Sequence, residues 1–338
     1  MTKALRALAL LIGLGVVSLL AGGAYFYFQL APPLESKSAV YLIRPGTSLG
    51  KVVADLEQKG VIRNAQAARL YARLRQWHNQ LKTGYYRFDK EQSATAVLKK
   101  IALGQTTKIP YTIPEGYRID QAAKNLDQYN LSSARYVELA TQPQAEWFNQ
   151  FSFLKGTSAE QRLEGYLFPD TYYLSGSEEE LIQAQLHRFE QVVLPLWNQR
   201  PANHPLDLND TIKLASVVEL EGLLDSELPI IAGVFLHRLR IGMPLQSDPT
   251  TEYALGWHQG AKGLSLEDIK IDSPYNTYRY KGLMPTPIGN PGKAAVQAVL
   301  YPKETPYLYF VARGDGSHAF SATYAEHLAA IRRIHRGK

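Results

Sequence analysis

One stretch constrains this chain before any other. From Ala7 to Phe28 the sequence "ALALLIGLGVVSLLAGGAYFYF" runs 22 residues without a charge, preceded by Lys3 and Arg6. About 20 apolar residues in a helix cross a hydrocarbon core about 30 Å thick, and a basic flank stays on the cytoplasmic side. The sequence therefore predicts a single-pass helix in the inner (cytoplasmic) membrane with a cytoplasmic N-terminus. Tyr25, Phe26, Tyr27 and Phe28 would form the interfacial belt, with everything after "APPLESKS" periplasmic or otherwise extracytoplasmic. A cleaved signal peptide is the competing reading, since Ala21 to Ala24 offer small residues. Its apolar region would run only about 7–15 residues, however, so an uncleaved anchor is expected.

The rest of the chain has to fold outside that membrane. The 338 residues are 45% hydrophobic and 20% charged, with 25 glycines and 19 prolines, which is the composition of a globular protein rich in turns. A formal charge of +6 fits nucleic acid, an anionic membrane or an acidic polymer equally well. No zinc-finger or RRM-type signature supports nucleic acid, which is not expected as a partner. Cysteine is absent, which excludes disulfides and thiolate chemistry. The eight histidines show no HxxxH spacing, so neither a metal centre nor a cofactor is expected.

Along the chain the periodicities predict an α+β protein in four parts. Residues 1–30 are the cytoplasmic N-terminus and transmembrane helix, and 31–39 a Pro-containing linker. Residues 40–107 are a small module and 108–338 a larger mixed α+β domain. In the module, Val40 and Leu42 alternate as a strand, Thr47 or Ser48 caps a helix, and Leu49, Val52, Val53 and Leu56 form its stripe up to Gly60. A further helix starts at Asn64, and another follows a cap at Ser93. This strand–turn–helix opening resembles LysM carbohydrate-binding modules. In the larger domain, helices are expected at 120–128, 179–194, 210–223 and 226–241, a strand at 305–314, and a last helix near 322–335.

The helix at 210–223 contains "LASVVELEG" (214–222), where two acids stand among small and apolar residues. At about 100° per residue, Glu219 and Glu221 point about 200° apart, to nearly opposite faces. Glu219 shares its face with Ala215, Ser216 and Gly222, small residues that would leave room for a substrate. Glu221 lies along the larger apolar stripe and reads as structural or supporting. A carboxyl in such surroundings is desolvated and holds its proton nearer neutral pH, which suits a general acid for glycosidic bond cleavage. Hydrolysis also wants a second carboxylate about 5–10 Å away. Glu164, Asp170 and Asp248 are the candidates, with turn formation the alternative for Asp170 and Asp248. Polar groups set between Gly and Pro at 272–292, Asn276 among them, read as an exposed binding loop. His318 follows the turn "GDGS", where a loop-stabilising role competes with a ligand contact.

Several long stretches occur in order: "LEGYLFPDTYY", "LASVVELEG", "HRLRIGMPLQSDPTTEYALG", "DSPYNTYRYKGLMPTPIGNPG" and "TPYLYFVARGDGSHAFSATYAEH". Together they resemble the endolytic murein transglycosylase MltG (YceG-like) family, from about residue 108 to the end. That resemblance implies a membrane-anchored lytic transglycosylase. Such an enzyme cuts peptidoglycan glycan strands internally during their synthesis, beside peptidoglycan synthases, and leaves 1,6-anhydro-N-acetylmuramoyl ends. The family's catalytic glutamate is the first acid of an A-S-[IV]-V-E-x-E motif, which falls on Glu219, and the second falls on Glu221. Leu220 stands between them, where relatives often carry a polar residue. The resemblance also implies that no second catalytic carboxylate is required, because the sugar's own C6 hydroxyl is the nucleophile. Glu164, Ser216, Gln246, Ser247, Asp248, Asn276 and His318 are then expected to line or support the cleft. Two alternatives stay open: a two-carboxylate peptidoglycan hydrolase, and a non-catalytic peptidoglycan-binding scaffold.

Overall fold

A computed structural model describes residues 3–174, 176–257 and 263–336. It is a mixed α+β structure that divides into two compact units. The first comprises Met1–Ile109 with Gln128–Leu131 and Tyr173–Gly176, and the second Pro110–Asp127, Ser132–Tyr172 and Ser177–Lys338.

The first unit begins with α1 (Lys3–Leu30), of which Leu8–Leu30 is 23 residues long and apolar enough to cross a membrane. The basic flank expected at Lys3 and Arg6 lies outside the described side chains. Then come β1 (Ala39–Ile43), α2 (Leu49–Gln58), α3 (Ala65–Leu74), β2 (Gly84–Phe88) and α4 (Ala94–Ala102). β1 and β2 pair antiparallel with Tyr41 opposite Tyr86. Each of the three short helices is started by a side-chain cap: Ser48, Asn64 and Ser93 accept from the backbone N–H three residues on. Their apolar stripes meet the β1–β2 ribbon in one core that includes Val52, Leu56, Tyr86, Phe88 and Val97. Leu30, the last residue of α1, is part of that core, and Phe26 packs against it. The segment expected as a linker is tied to the same unit: Lys37 N–H donates to the Gly60 carbonyl at 3.1 Å, and Arg63 donates to the Pro32 carbonyl at 2.5 Å.

The rest of the chain, which forms the second unit apart from Ile109, Gln128–Leu131 and Tyr173–Gly176, runs β3 (Ile109–Thr112), α5 (Ile119–Ala123), α6 (Ser133–Thr141), α7 (Ala145–Gln150), β4 (Thr171–Leu174), α8 (Glu178–Asn198), α9 (Leu208–Glu221), α10 (Leu228–Arg240), α11 (Asp248–Ala254), α12 (Lys293–Leu300), β5 (Tyr309–Ala312), β6 (His318–Ser321) and α13 (Tyr324–Arg336). The helix expected over 120–128 is broken into α5 and a 3-10 turn at Leu126–Tyr129. The strand expected over 305–314 is the four-residue β5, paired antiparallel with β6. α9 is the central helix, packed by α10, α11 and α12. Thr211, Ile212 and every residue from Leu214 to Val218 are buried, so the middle of α9 is enclosed and only its two ends and Lys213 reach solvent. A helix segment enclosed on every side belongs in a core, and at the C-terminal end of α9 two carboxyls emerge from it.

Candidate active site

That last turn presents three consecutive residues to three different surroundings. Glu219 faces the loops at 114–118 and 288–292, Leu220 lines an open cleft, and Glu221 faces the start of α11. The opposed directions expected from helical phase are therefore present.

Glu219 is half-buried. Its Oε2 accepts the Gly292 N–H at 2.9 Å, and its stem lies against Gly116, where a Cβ would sit 3.4 Å from Glu219 Cγ. The two loops are knitted together: Gly116 N–H donates to the Asn290 carbonyl at 2.8 Å, and Asn290 N–H returns to the Tyr117 carbonyl at 3.0 Å. Burial pushes the Glu219 carboxyl up to about 7, the Gly292 amide pulls it down, and the negative charges of Glu115 and Asp225 add to the rise. The room beside Glu219 comes from these glycine loops and not from its own helix face. Ala215 and Ser216 are core residues. Ser216 Oγ donates to the Lys213 carbonyl at 2.7 Å and accepts from Ile288 N–H at 3.1 Å. At Gly222 a Cβ would sit 2.3 Å from Leu228 Cδ2. The expectation of an open small-residue face is corrected, because small residues on a central helix make room for neighbouring elements.

The cleft over Leu220 has a volume of about 220 Å³ and is lined by Glu115, Gly116, Tyr117, Arg118, Pro249, Glu252, Tyr253 and Trp257. The Arg118 guanidinium lies 4.5 Å from the centre of the Tyr253 ring and donates to the Trp257 carbonyl at 2.8 Å. Aromatic faces beside fixed polar groups are the surface on which sugar rings pack.

Glu221 accepts from Ser247 Oγ at 2.6 Å, and burial pushes its carboxyl up to about 7 against the pull of that bond. It lines a second groove of about 380 Å³ together with Arg238, Gln246, Asp248, Tyr278 and His318. Tyr278 OH donates to Asp248 Oδ1 at 2.5 Å, and His318 Nδ1 stands 2.8 Å from Glu227 Oε2. Of the supporting residues expected from sequence, Gln246, Ser247, Asp248 and His318 thus gather around Glu221. Asp248 opens α11 rather than forming a free turn.

Glu164 and Asn276 sit elsewhere, both fully buried. Glu164 accepts from Ile119 N–H at 3.0 Å, Asn290 Nδ2 at 3.1 Å and Arg162 at 3.2 Å. Burial pushes it up to about 7 despite the nearby Arg162 and Arg118 charges. Asn276 donates to the carbonyls of Ile269 and Ile271 at 2.9 and 2.8 Å. The region 272–292 lacks helix and strand, as expected of a loop, but much of it is interior, including Thr277, Met284, Thr286 and Ile288. Side chains such as Asn276 supply the hydrogen bonds that a ladder would otherwise provide.

Sequence reasoning passed over two residues. Asn290 accepts from Gly165 and Leu167 N–H at 2.8 and 3.0 Å and donates to the Tyr117 carbonyl at 2.8 Å, pinning three loops under the cleft. Glu115 lies at the mouth, in "IPEGY". A carboxylate beside a turn glycine was the available signal. Among the described residues, no three His, Cys, Asp or Glu side chains come together as a metal-ligand set.

Comparison with known proteins places the chain among relatives. The YceG-like family model matches residues 41–333. A Bacillus subtilis (strain 168) protein named endolytic murein transglycosylase is 31% identical over 326 residues, covering 91% of this chain and 89% of its own. A protein of the same name from Streptococcus pneumoniae (strain D39) is 32% identical over 330 residues, 88% of this chain but 59% of its own length. A crystal structure of a yceG-like protein from Listeria monocytogenes aligns with a TM-score of 0.62 at 31% identity, over 86% of this chain and 98% of that one. With a family match across most of its length and relatives of this similarity, the chain belongs to the YceG-like family.

Proposed function

We propose that the protein is an endolytic peptidoglycan lytic transglycosylase with Glu219 as its acid and base. The observation that carries this reading is a half-buried carboxyl, pushed up to about 7, at the free end of the central helix. Beside it, Leu220 lines an aromatic cleft. Protonated Glu219 gives its proton to the bridging oxygen as the MurNAc C1–O4 bond to GlcNAc breaks. The resulting carboxylate is stabilised by the Gly292 N–H and takes the proton of the MurNAc C6 hydroxyl as that oxygen bonds to C1. The products are a GlcNAc-ended strand and a 1,6-anhydro-MurNAc end, with no water consumed. An attack within one sugar gains from proximity, which can replace a bound water outright.

The names of the Bacillus and Streptococcus relatives support the same substrate. On this reading α1 is a retained anchor, and nascent strands beside peptidoglycan synthases are the target. The β1–α2–α3–β2 order of the first unit supports a LysM-like glycan-binding role for residues 40–107. The test is digestion of uncrosslinked glycan by the detergent-solubilised full chain, with products read by mass spectrometry. Anhydro ends, one water lighter than reducing ends, are expected. Reducing ends would mean a two-carboxylate hydrolase, and uncut strands that still bind the protein would mean a scaffold.

A further inference from the structure

Glu115 occupies space that any side chain at Gly292 would take. Its carboxyl lies directly over Gly292: a Cβ at that glycine would meet Glu115 Oε1 at 2.0 Å and Cδ at 2.1 Å. The N–H of the same glycine is held by Glu219 at 2.9 Å. One backbone unit thus has a carboxylate on each side, Glu219 from the end of α9 hydrogen-bonded to its N–H and Glu115 from the loop at 114–118 lying against its Cα. Glu115 also lines both the cleft over Leu220 and an adjoining groove of about 480 Å³ that contains Asp170, Arg188 and Lys293. It therefore lines both spaces, outside the motif that carries the acid pair.

We infer that Glu115 is the positioning carboxylate of this site, its negative charge held across Gly292 so that Glu219 keeps its proton until the leaving oxygen takes it. The inference rests on the transglycosylase reading and deepens it. A like charge nearby disfavours ionisation, and the same charge favours the positive character that develops at C1. The charged groups acting on Glu219 are Glu115 and Asp225, against the pull of the Gly292 amide. Lys293 begins α12 one residue further on, and Arg118 and Glu252 line the cleft beyond.

Cleavage needs Glu219 protonated, so activity falls as pH rises through its pKa. Without the Glu115 charge that pKa drops, and the alkaline limb of kcat/KM moves to lower pH. Two variants of the full chain test this on uncrosslinked glycan. Glu115→Gln removes the charge. Gly292→Ala keeps the N–H that Glu219 uses, fits the glycine's φ of −78° and ψ of 177°, and pushes the Glu115 carboxyl aside. Both are expected to move the alkaline limb down by ~0.5 pH unit or more, with melting temperatures near wild type. The exposed Glu146→Gln should not move it. An alkaline limb that stays in place in Glu115→Gln overturns the inference, and Gly292→Ala decides the matter if Glu115→Gln does not fold. A wild-type chain that leaves glycan uncut would instead refute the transglycosylase reading itself.

Discussion

Glu219 and Glu221 are separated by a single residue, equally raised towards neutral pH, and held by different partners: a backbone amide for one, the Ser247 hydroxyl for the other. A carboxyl raised by burial favours the protonated folded state. The stability it adds is fully present below its unfolded value of about 4.3 and is lost as pH rises towards about 7. Glu219→Gln is therefore expected to lower kcat by about 10²–10⁴-fold while leaving the fold at least as stable at pH 8, read by glycan digestion beside thermal melts. Glu221→Gln keeps an acceptor for Ser247. It should gain about 1 kcal/mol over wild type at pH 8 after allowance for solvent and nothing below about pH 4, with most cleavage retained. Cleavage lost in Glu221→Gln and retained in Glu219→Gln would reverse the two assignments.

At the scale of elements, α9 is positioned by its burial and the cleft by its loops. Ala215 is wholly enclosed, so Ala215→Leu should cost about 1–3 kcal/mol through overpacking, seen as a lower denaturant midpoint. Asn290→Ala strips an acceptor from Gly165 and Leu167 N–H and a donor from Glu164. A loss of about 3 kcal/mol is expected, again from chemical denaturation, and kcat should fall with it as the 114–118 loop loosens. The helices of the first unit were legible because caps and stripes are local, with Ser48, Asn64 and Ser93 each announcing a start, whereas the short α6, α7, α11 and α12 were not among the expected helices. Helical phase likewise separated the two glutamates. The face that would be open was not legible, since Ala215 and Ser216 look alike whether they admit a sugar or another helix. Nor was the burial of 272–292 legible, because Asn276 bonds to carbonyls that only the folded loop brings to it. Glu115 lies more than a hundred positions from Glu219, and no spacing rule connects them.

For the molecule as a whole, the apolar span can be separated from the fold at a defined place. Removing residues 1–24 takes most of the 23-residue span but spares Phe26 and Leu30, which belong to the packing of the first unit. Such a chain is expected to melt at the wild-type temperature and to stay in solution when lipid vesicles are floated, whereas the full chain rises with them. A large drop in melting temperature would mean that the apolar span contributes to folding beyond its last turn. Leu30 is one of the residues around which the first unit condenses, and Arg63 reaches back to cover the Phe28 ring at 4.2 Å and hold the Pro32 carbonyl. A helix fastened in this way works as a mast stepped into the hull, not as a tether. If α1 is a retained anchor, as proposed, a tilt of the span that bilayer thickness imposes bears directly on the core of the first unit through Leu30 and Phe26, and membrane composition becomes a mechanical input to that unit.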